Sequence, residues 1–229
     1  MRRKMSALYL LVIAALGLTI WAQFKVKGTF NKWSENPAFS GMTGAEVARR
    51  ILDANGLHDV PVEPVPGKLT DHYDPMARAV RLSESVYYSN SIAAISVAAH
   101  ECGHALQHRD AYGFLVLRHK MFPVVNFASG VAPLLLMAGI LFQALNLFAL
   151  GILFFSAAVA FQLVTLPVEF NASSRAKDIL VQQGFIRNTE ERGVSKVLNA
   201  AAFTYVAATL VAVMNLLYYI SIFLGQSEE

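Results

Sequence analysis

Residues 92–108 read IAAISVAAHECGHALQH. The run contains no proline, and Ser89-Asn90-Ser91 ahead of it is suited to N-capping, so a helix is expected over Ile92–His108. Residues four apart on a helix lie one turn above each other, so His100 and His104 can aim two imidazoles at one ion, with Glu101 beside them. This is the spacing of His-Glu-x-x-His, in which neutral imidazoles bind zinc and the Glu takes a proton from the activated water. Because the metal lowers the pKa of that water from about 16 to about 7, a modest carboxylate base suffices. Chance alone gives the pattern in on the order of one chain in a hundred of this composition. The competing view makes His100 and His104 ordinary polar-face residues and Glu101 a solvated charge. Against it stand the small, apolar run Ala93–Ala99 and the position of Cys102, about 200° round the helix from His100. Gly103 also costs helix stability of about 1 kcal/mol relative to Ala, which points to close packing or metal access there.

The 229 residues are 55% apolar and only 15% charged, too greasy for an ordinary globular chain, so the excess belongs in lipid. Four stretches are long enough to cross a hydrocarbon core: Met5–Phe24, Phe122–Phe142, Leu147–Leu166 and Ala200–Leu224. The first follows Arg2, Arg3 and Lys4 and resembles the apolar region of a signal peptide. Its length, and the lack of a small-x-small site in Trp21-Ala22-Gln23-Phe24-Lys25, favour a retained anchor. A formal net charge of +3 with no aromatic-interleaved basic patch speaks for membrane topology rather than for a nucleic-acid partner. Cys102 is the single cysteine, which excludes an intrachain disulfide and a cysteine-based zinc knuckle. Any metal is therefore held by His and carboxylates.

A catalytic zinc takes three protein ligands and leaves the fourth position to water, so a third donor is required. His108 continues the same face but lies about 12 Å from His100, too far for three rings on one straight helix to meet an ion. The metzincin pattern needs His at position 110, which is Asp110. Glu169 is the better candidate. It follows directly on an apolar stretch, where a carboxylate is costly unless a cation meets it, although pairing with Arg175 would also account for it. Two apolar stretches, an even number, separate His104 from Glu169, so both fall on the same side of a bilayer.

Two polar segments are substantial, Lys25–Met121 and the helical-looking Pro167–Asn199. Thr43-Gly44-Ala45-Glu46 has the form of a capping box, with Val47, Ile51 and Leu52 on one helical face and Asn55-Gly56 as the stop. Pro66-Gly67 marks a turn between short extended pieces. Ala77–Val86 alternates with period two and is expected to be an edge strand to which an extended peptide substrate could pair. His72 or Tyr73, just before it, could donate to a transition-state oxyanion. A plain turn capped by Asp71 and Asp74 before Pro75 explains that segment equally well. His58 and His119 are expected at a surface or interface, and Tyr218-Tyr219 at the membrane interface.

The chain resembles the YugP-like family of membrane zinc metallopeptidases, distant relatives of HtpX and the CAAX prenyl endopeptidase. The likeness rests on His100-Glu101-Cys102-Gly103-His104-Ala105, Leu69-Thr70-Asp71-His72-Tyr73-Asp74-Pro75 and Val168-Glu169-Phe170-Asn171-Ala172-Ser173-Ser174-Arg175-Ala176. The resemblance implies one zinc ion held by His100, His104 and Glu169, with Glu101 as the base. Those relatives commonly show Glu-x-x-x-Asp, and here the last position is Ser173, whose hydroxyl is suited to support a ligating His.

The expected architecture is an α-helical membrane protein with four transmembrane helices and a small α+β zincin-like peptidase domain. Its parts are an anchor over 1–24, the zincin-like domain over 25–121, a transmembrane hairpin over 122–166, a helical arm with the third ligand over 167–199, and a fourth span with a short tail over 200–229. Apart from Arg2, Arg3 and Lys4, every Lys and Arg lies in the two polar segments, which places the catalytic side in the cytoplasm. The expected activity is hydrolysis of membrane or membrane-proximal polypeptides. A catalytically silent metal-binding membrane scaffold is the alternative. An intramembrane protease fits less well, because Arg109, Asp110, Arg118 and Lys120 follow the His motif so closely.

Overall fold

The computed structural model describes residues 2–227, with side chains from 9 to 225. The elements in chain order are α1 (Arg2–Ser34), α2 (Gly44–Ala54), β1 (Val62–Val65), β2 (His72–Asp74), β3 (Ala79–Ser83), α3 (Glu84–Tyr87), α4 (Ile92–Arg109), α5 (Gly113–Leu141), α6 (Leu145–Gln182) and α7 (Glu191–Ser227). The chain is thus mostly helical with one small sheet. Among the described residues, four helices are long and apolar enough to cross a membrane, within Tyr9–Ser34, Gly113–Leu141, Leu145–Gln182 and Glu191–Gly225. Two compact units are present. One comprises Met1–Gln23, Val116–Pro167 and Thr204–Glu229; the other comprises Phe24–Leu115 and Val168–Phe203.

In the first unit α5 and α6 form a tight hairpin in which glycines let backbones approach. A Cβ on Gly139 would lie 2.6 Å from the Phe148 nitrogen, and one on Gly151 would lie 2.8 Å from the Leu136 nitrogen. The buried Phe148 and neighbouring Phe155 meet Tyr219 edge-on, with centroids 6.3 and 5.4 Å away, so this tyrosine packs inside the helical unit.

In the second unit α2 begins with both halves of the capping box. The Glu46 N–H donates to Thr43 Oγ1 at 3.2 Å, and the Thr43 N–H donates to Glu46 Oε2 at 2.7 Å. Gly56 takes the left-handed conformation after the helix, at φ +73°. The apolar face of α2, with Val47, Ile51 and Leu52, is fully buried in the same core as α4. Cys102 of α4 points that way, 3.6 Å from the Ala48 carbonyl.

The sheet order is β1-β3-β2, with β1 parallel and β2 antiparallel to β3. This corrects two expectations. The strand is shorter than Ala77–Val86, because the chain turns helical at Glu84 after Ser83. It is also central: Val80 faces Val62 on one side and Tyr73 on the other, so β3 has no free edge for a peptide. The free edges belong to β1 and β2. Along β1, Pro64 and its flanks Pro61 and Pro66 lack N–H donors and blunt that edge.

The helices also exceed the apolar stretches that suggested them. Helix α1 continues past Phe24 to Ser34, where the Trp33 ring fills the space beside Gly193. Helix α6 passes through Pro167 without ending, so the expected arm continues the helix of the third apolar stretch.

Helix α4 is buried on nearly every side. It packs tightly against α6 at Gly103, where an added Cβ would stand 2.7 Å from the Ala172 carbonyl oxygen and 3.2 Å from its Cα. Backbone cannot yield as a flexible side chain would. Gly103→Ala is therefore expected to destabilise the protein: overpacking costs about 1–3 kcal/mol, of which better helix propensity returns at most about 1 kcal/mol. Thermal unfolding in detergent should show a lower Tm, and a Tm equal to or above that of the wild type would refute the tight approach.

Candidate metal centre

Helix α4 starts from a side-chain cap, the Ala94 N–H donating to Ser91 Oγ at 3.2 Å, and runs straight through the His motif. One turn apart on it, the His100 and His104 rings have centroids 4.7 Å apart and lie nearly perpendicular. Across from them α6 supplies Glu169, almost completely buried. Glu169 Oε2 lies 3.4 Å from His100 Nε2 and 3.6 Å from His104 Nε2, and the three donor groups fall within 4.8 Å of one another. His108 is outside this cluster; its Nδ1 meets the Tyr73 hydroxyl at 2.8 Å.

The donor set fits zinc. Ligand distances of about 2.0–2.2 Å in tetrahedral array set ligand atoms roughly 3.3–3.5 Å apart, close to both observed separations. Two imidazoles and a carboxylate are also the donor chemistry of a three-ligand catalytic zinc site.

Each imidazole is held through its other nitrogen. His100 Nδ1 lies 3.2 Å from Ser173 Oγ, one turn beyond Glu169 on α6. His104 Nδ1 lies 3.0 Å from the side-chain oxygen of Gln107. Burial opposes a charged imidazole at His104, yet the facing Glu169 carboxylate outweighs it and raises the pKa. Positive charge is favoured at this point. Burial pushes the Glu101 carboxyl above its usual range, against the attraction of the two His residues.

Tyr73 and His72 alternate on β2 and part company. The Tyr73 hydroxyl reaches α4 through His108, whereas His72 is exposed and its Nδ1 meets its own loop at the Thr70 carbonyl, 2.8 Å away. Asp71 is used structurally, accepting from the Ser83 N–H at 2.7 Å and from its hydroxyl at 3.0 Å. His58 pairs with Asp53 at the surface. Arg175, the competing partner for Glu169, instead binds Asn171 Oδ1 at 2.9 Å and Asp110 at 2.6 Å. Gln107 and Asn171, absent from the sequence-based assignment, are part of the same polar cluster.

Residues 8–224 match the model of a family described as "Putative neutral zinc metallopeptidase". The chain belongs to this family. It is also 70% identical over 219 residues to "Putative membrane protease YugP" of Bacillus subtilis (strain 168), covering 96% of this chain and 97% of that relative. No solved structure matches.

If Glu169 is the third donor, Glu169→Gln should lower zinc affinity by more than the roughly 10–100-fold typical of losing an outer support. His108→Ala should leave it nearly unchanged. Metal content by mass spectrometry and competition titration of both variants checks this, and zinc loss in His108→Ala alone would reverse the assignment.

Proposed function

We propose that the protein is a membrane-integrated zinc endopeptidase acting on membrane or membrane-proximal polypeptides. The observation that carries this is the convergence of His100, His104 and Glu169 with a buried Glu101 on the same helix as both His residues. His100 and His104 on α4 and Glu169 on α6 would hold one zinc ion. When bound, zinc supplies Lewis acidity, bringing a water's pKa close to neutrality and polarising a carbonyl. Glu101 accepts the proton of the attacking water and returns it to the leaving amine. Its burial raises the carboxyl pKa toward the working pH, where a general base and acid is most effective.

The free edge that supports substrate pairing is that of β2. Tyr73 on this strand touches His108, one turn along α4 from His104, so a peptide added to β2 would run beside the helix that carries the motif. The same contact makes Tyr73 a better oxyanion donor than the outward-facing His72. A membrane-proximal substrate is supported by α6, which carries both a membrane-length apolar stretch and Glu169. The concentration of Lys and Arg in the two polar segments supports a cytoplasmic site, Arg2, Arg3 and Lys4 being the opposing signal.

Glu101→Gln leaves every proposed ligand in place. It is expected to bind zinc like the wild type and to cleave an unfolded test protein about 10²–10⁴-fold more slowly. Unchanged cleavage would assign the base elsewhere. Zinc-loaded wild type that cleaves no polypeptide would favour the silent metal-binding scaffold.

A further inference from the structure

Gln107 lies one turn beyond His104 on α4 and is fully buried. Its amide nitrogen donates to the Val168 carbonyl at 2.8 Å and to Asn171 Oδ1 at 3.0 Å, both on α6. The orientation of this amide follows from its neighbours. A main-chain carbonyl only accepts, and Asn171 Oδ1 is fixed as an acceptor by the Arg175 Nε, which only donates. Nitrogen therefore faces α6, and the side-chain oxygen faces His104 Nδ1. Since that oxygen only accepts, Nδ1 carries a proton, and Nε2, which points to Glu169, is the nitrogen left to bind a metal.

The anchor is reinforced from outside. Arg175 also donates to Asp110 at 2.6 Å, and Asp110 accepts from Arg109 at 2.8 Å, so the C-terminal end of α4 is tied to the next turn of α6. Every donor and acceptor of the buried amide is engaged with one of the two walls of the centre. A glutamine that served only to join helices would not need its oxygen on an imidazole.

We propose that Gln107 is a positioning residue of the metal centre. Its oxygen holds the Nδ1 proton of His104 and so presents Nε2 to the metal, while its nitrogen ties that ring to the α6 turn that carries Glu169. The inference rests on the proposed metal reading and deepens it. Zinc would require an oxygen acceptor at position 107 for full affinity, and a side chain that only fills the space would not supply one.

The test uses the full-length protein in detergent, stripped of metal and titrated with Zn(II), with Co(II) as the spectroscopic probe. Gln107→Met keeps the volume and deletes the acceptor; zinc affinity is expected to fall about 10–100-fold, with an altered Co(II) visible spectrum. Gln107→Glu keeps an acceptor for His104 but loses both donors to α6. It is expected to unfold at a lower temperature while binding zinc at least tenfold more tightly than Gln107→Met, a rescue that helix packing alone does not give. Wild-type affinity and spectrum in Gln107→Met overturn the proposal, as does a Glu variant that folds but binds no better than Met. If the Glu variant does not fold, the Co(II) spectrum of Gln107→Met decides, an altered envelope supporting the role and an unaltered one refuting it. Wild type that binds neither ion overturns the metal reading and this role with it, whereas loss of the Gln107 effect in a zinc-binding wild type overturns this role alone.

Discussion

Helices α4 and α6 touch backbone to backbone at Gly103 and Ala172, and the candidate centre depends on that contact. Glu169 lies one turn before Ala172 on α6, and His100 and His104 flank Gly103 on α4. Without a side chain at 103, α6 comes close enough for one carboxylate oxygen to stand within 3.6 Å of both imidazoles. Ser173 and Gln107 complete the same interface, each hydrogen-bonded to the outer nitrogen of one His. The loss of helix propensity at Gly103, about 1 kcal/mol, is thereby offset by close packing and by a set of satisfied buried polar groups.

The parts of this arrangement that were legible in the sequence are those governed by local periodicity. Four-residue spacing brought His100 and His104 to one face, Thr43 and Glu46 announced a capped helix, and uninterrupted apolar runs marked four long helices. An even number of spans made Glu169 available to the His pair, and the two do meet across α4 and α6. Strand order was not legible. The pairing of Val62–Val65 with Ala79–Ser83 is parallel and crosses a loop that also contains β2, so no turn signal indicates that β3 will be central. Nor did composition show where helices stop. Lys25, Lys27 and Lys32 resemble the start of a polar domain, yet charged side chains on an exposed helix face do not interrupt the helix.

The role of Gln107 is not legible in the sequence for a different reason. A side-chain amide is not among the usual zinc donors and does no acid–base chemistry, so its role is defined by what lies on each end. The signal was present in the spacing, since a residue three after a ligating His falls beside that ring on the helix surface. What the spacing could not contain was the identity of the opposite wall, Val168 and Asn171, more than sixty residues further along the chain. Arg175 illustrates the same limit. Sequence proximity made it a natural partner for Glu169, whereas helical geometry turns it to Asn171 and Asp110 and leaves the carboxylate facing the imidazoles.

The way the carboxylate meets those imidazoles bears on why the site suits a divalent cation. With its Nδ1 proton held by Gln107, His104 turns Nε2 toward Glu169 Oε2 in a buried space where the facing carboxylate favours positive charge. Positive charge between the carboxylate and the imidazoles can come from a proton or from a cation. A proton bridges best when nitrogen and oxygen are about 2.7–2.9 Å apart, and these pairs stand at 3.4 and 3.6 Å. That spacing is wide for a shared proton and close to the edge of a tetrahedron of metal ligands. An ion that all three side chains reached at once would meet the carboxylate and both imidazoles together, and its binding would then be linked to the folding of α4 against α6.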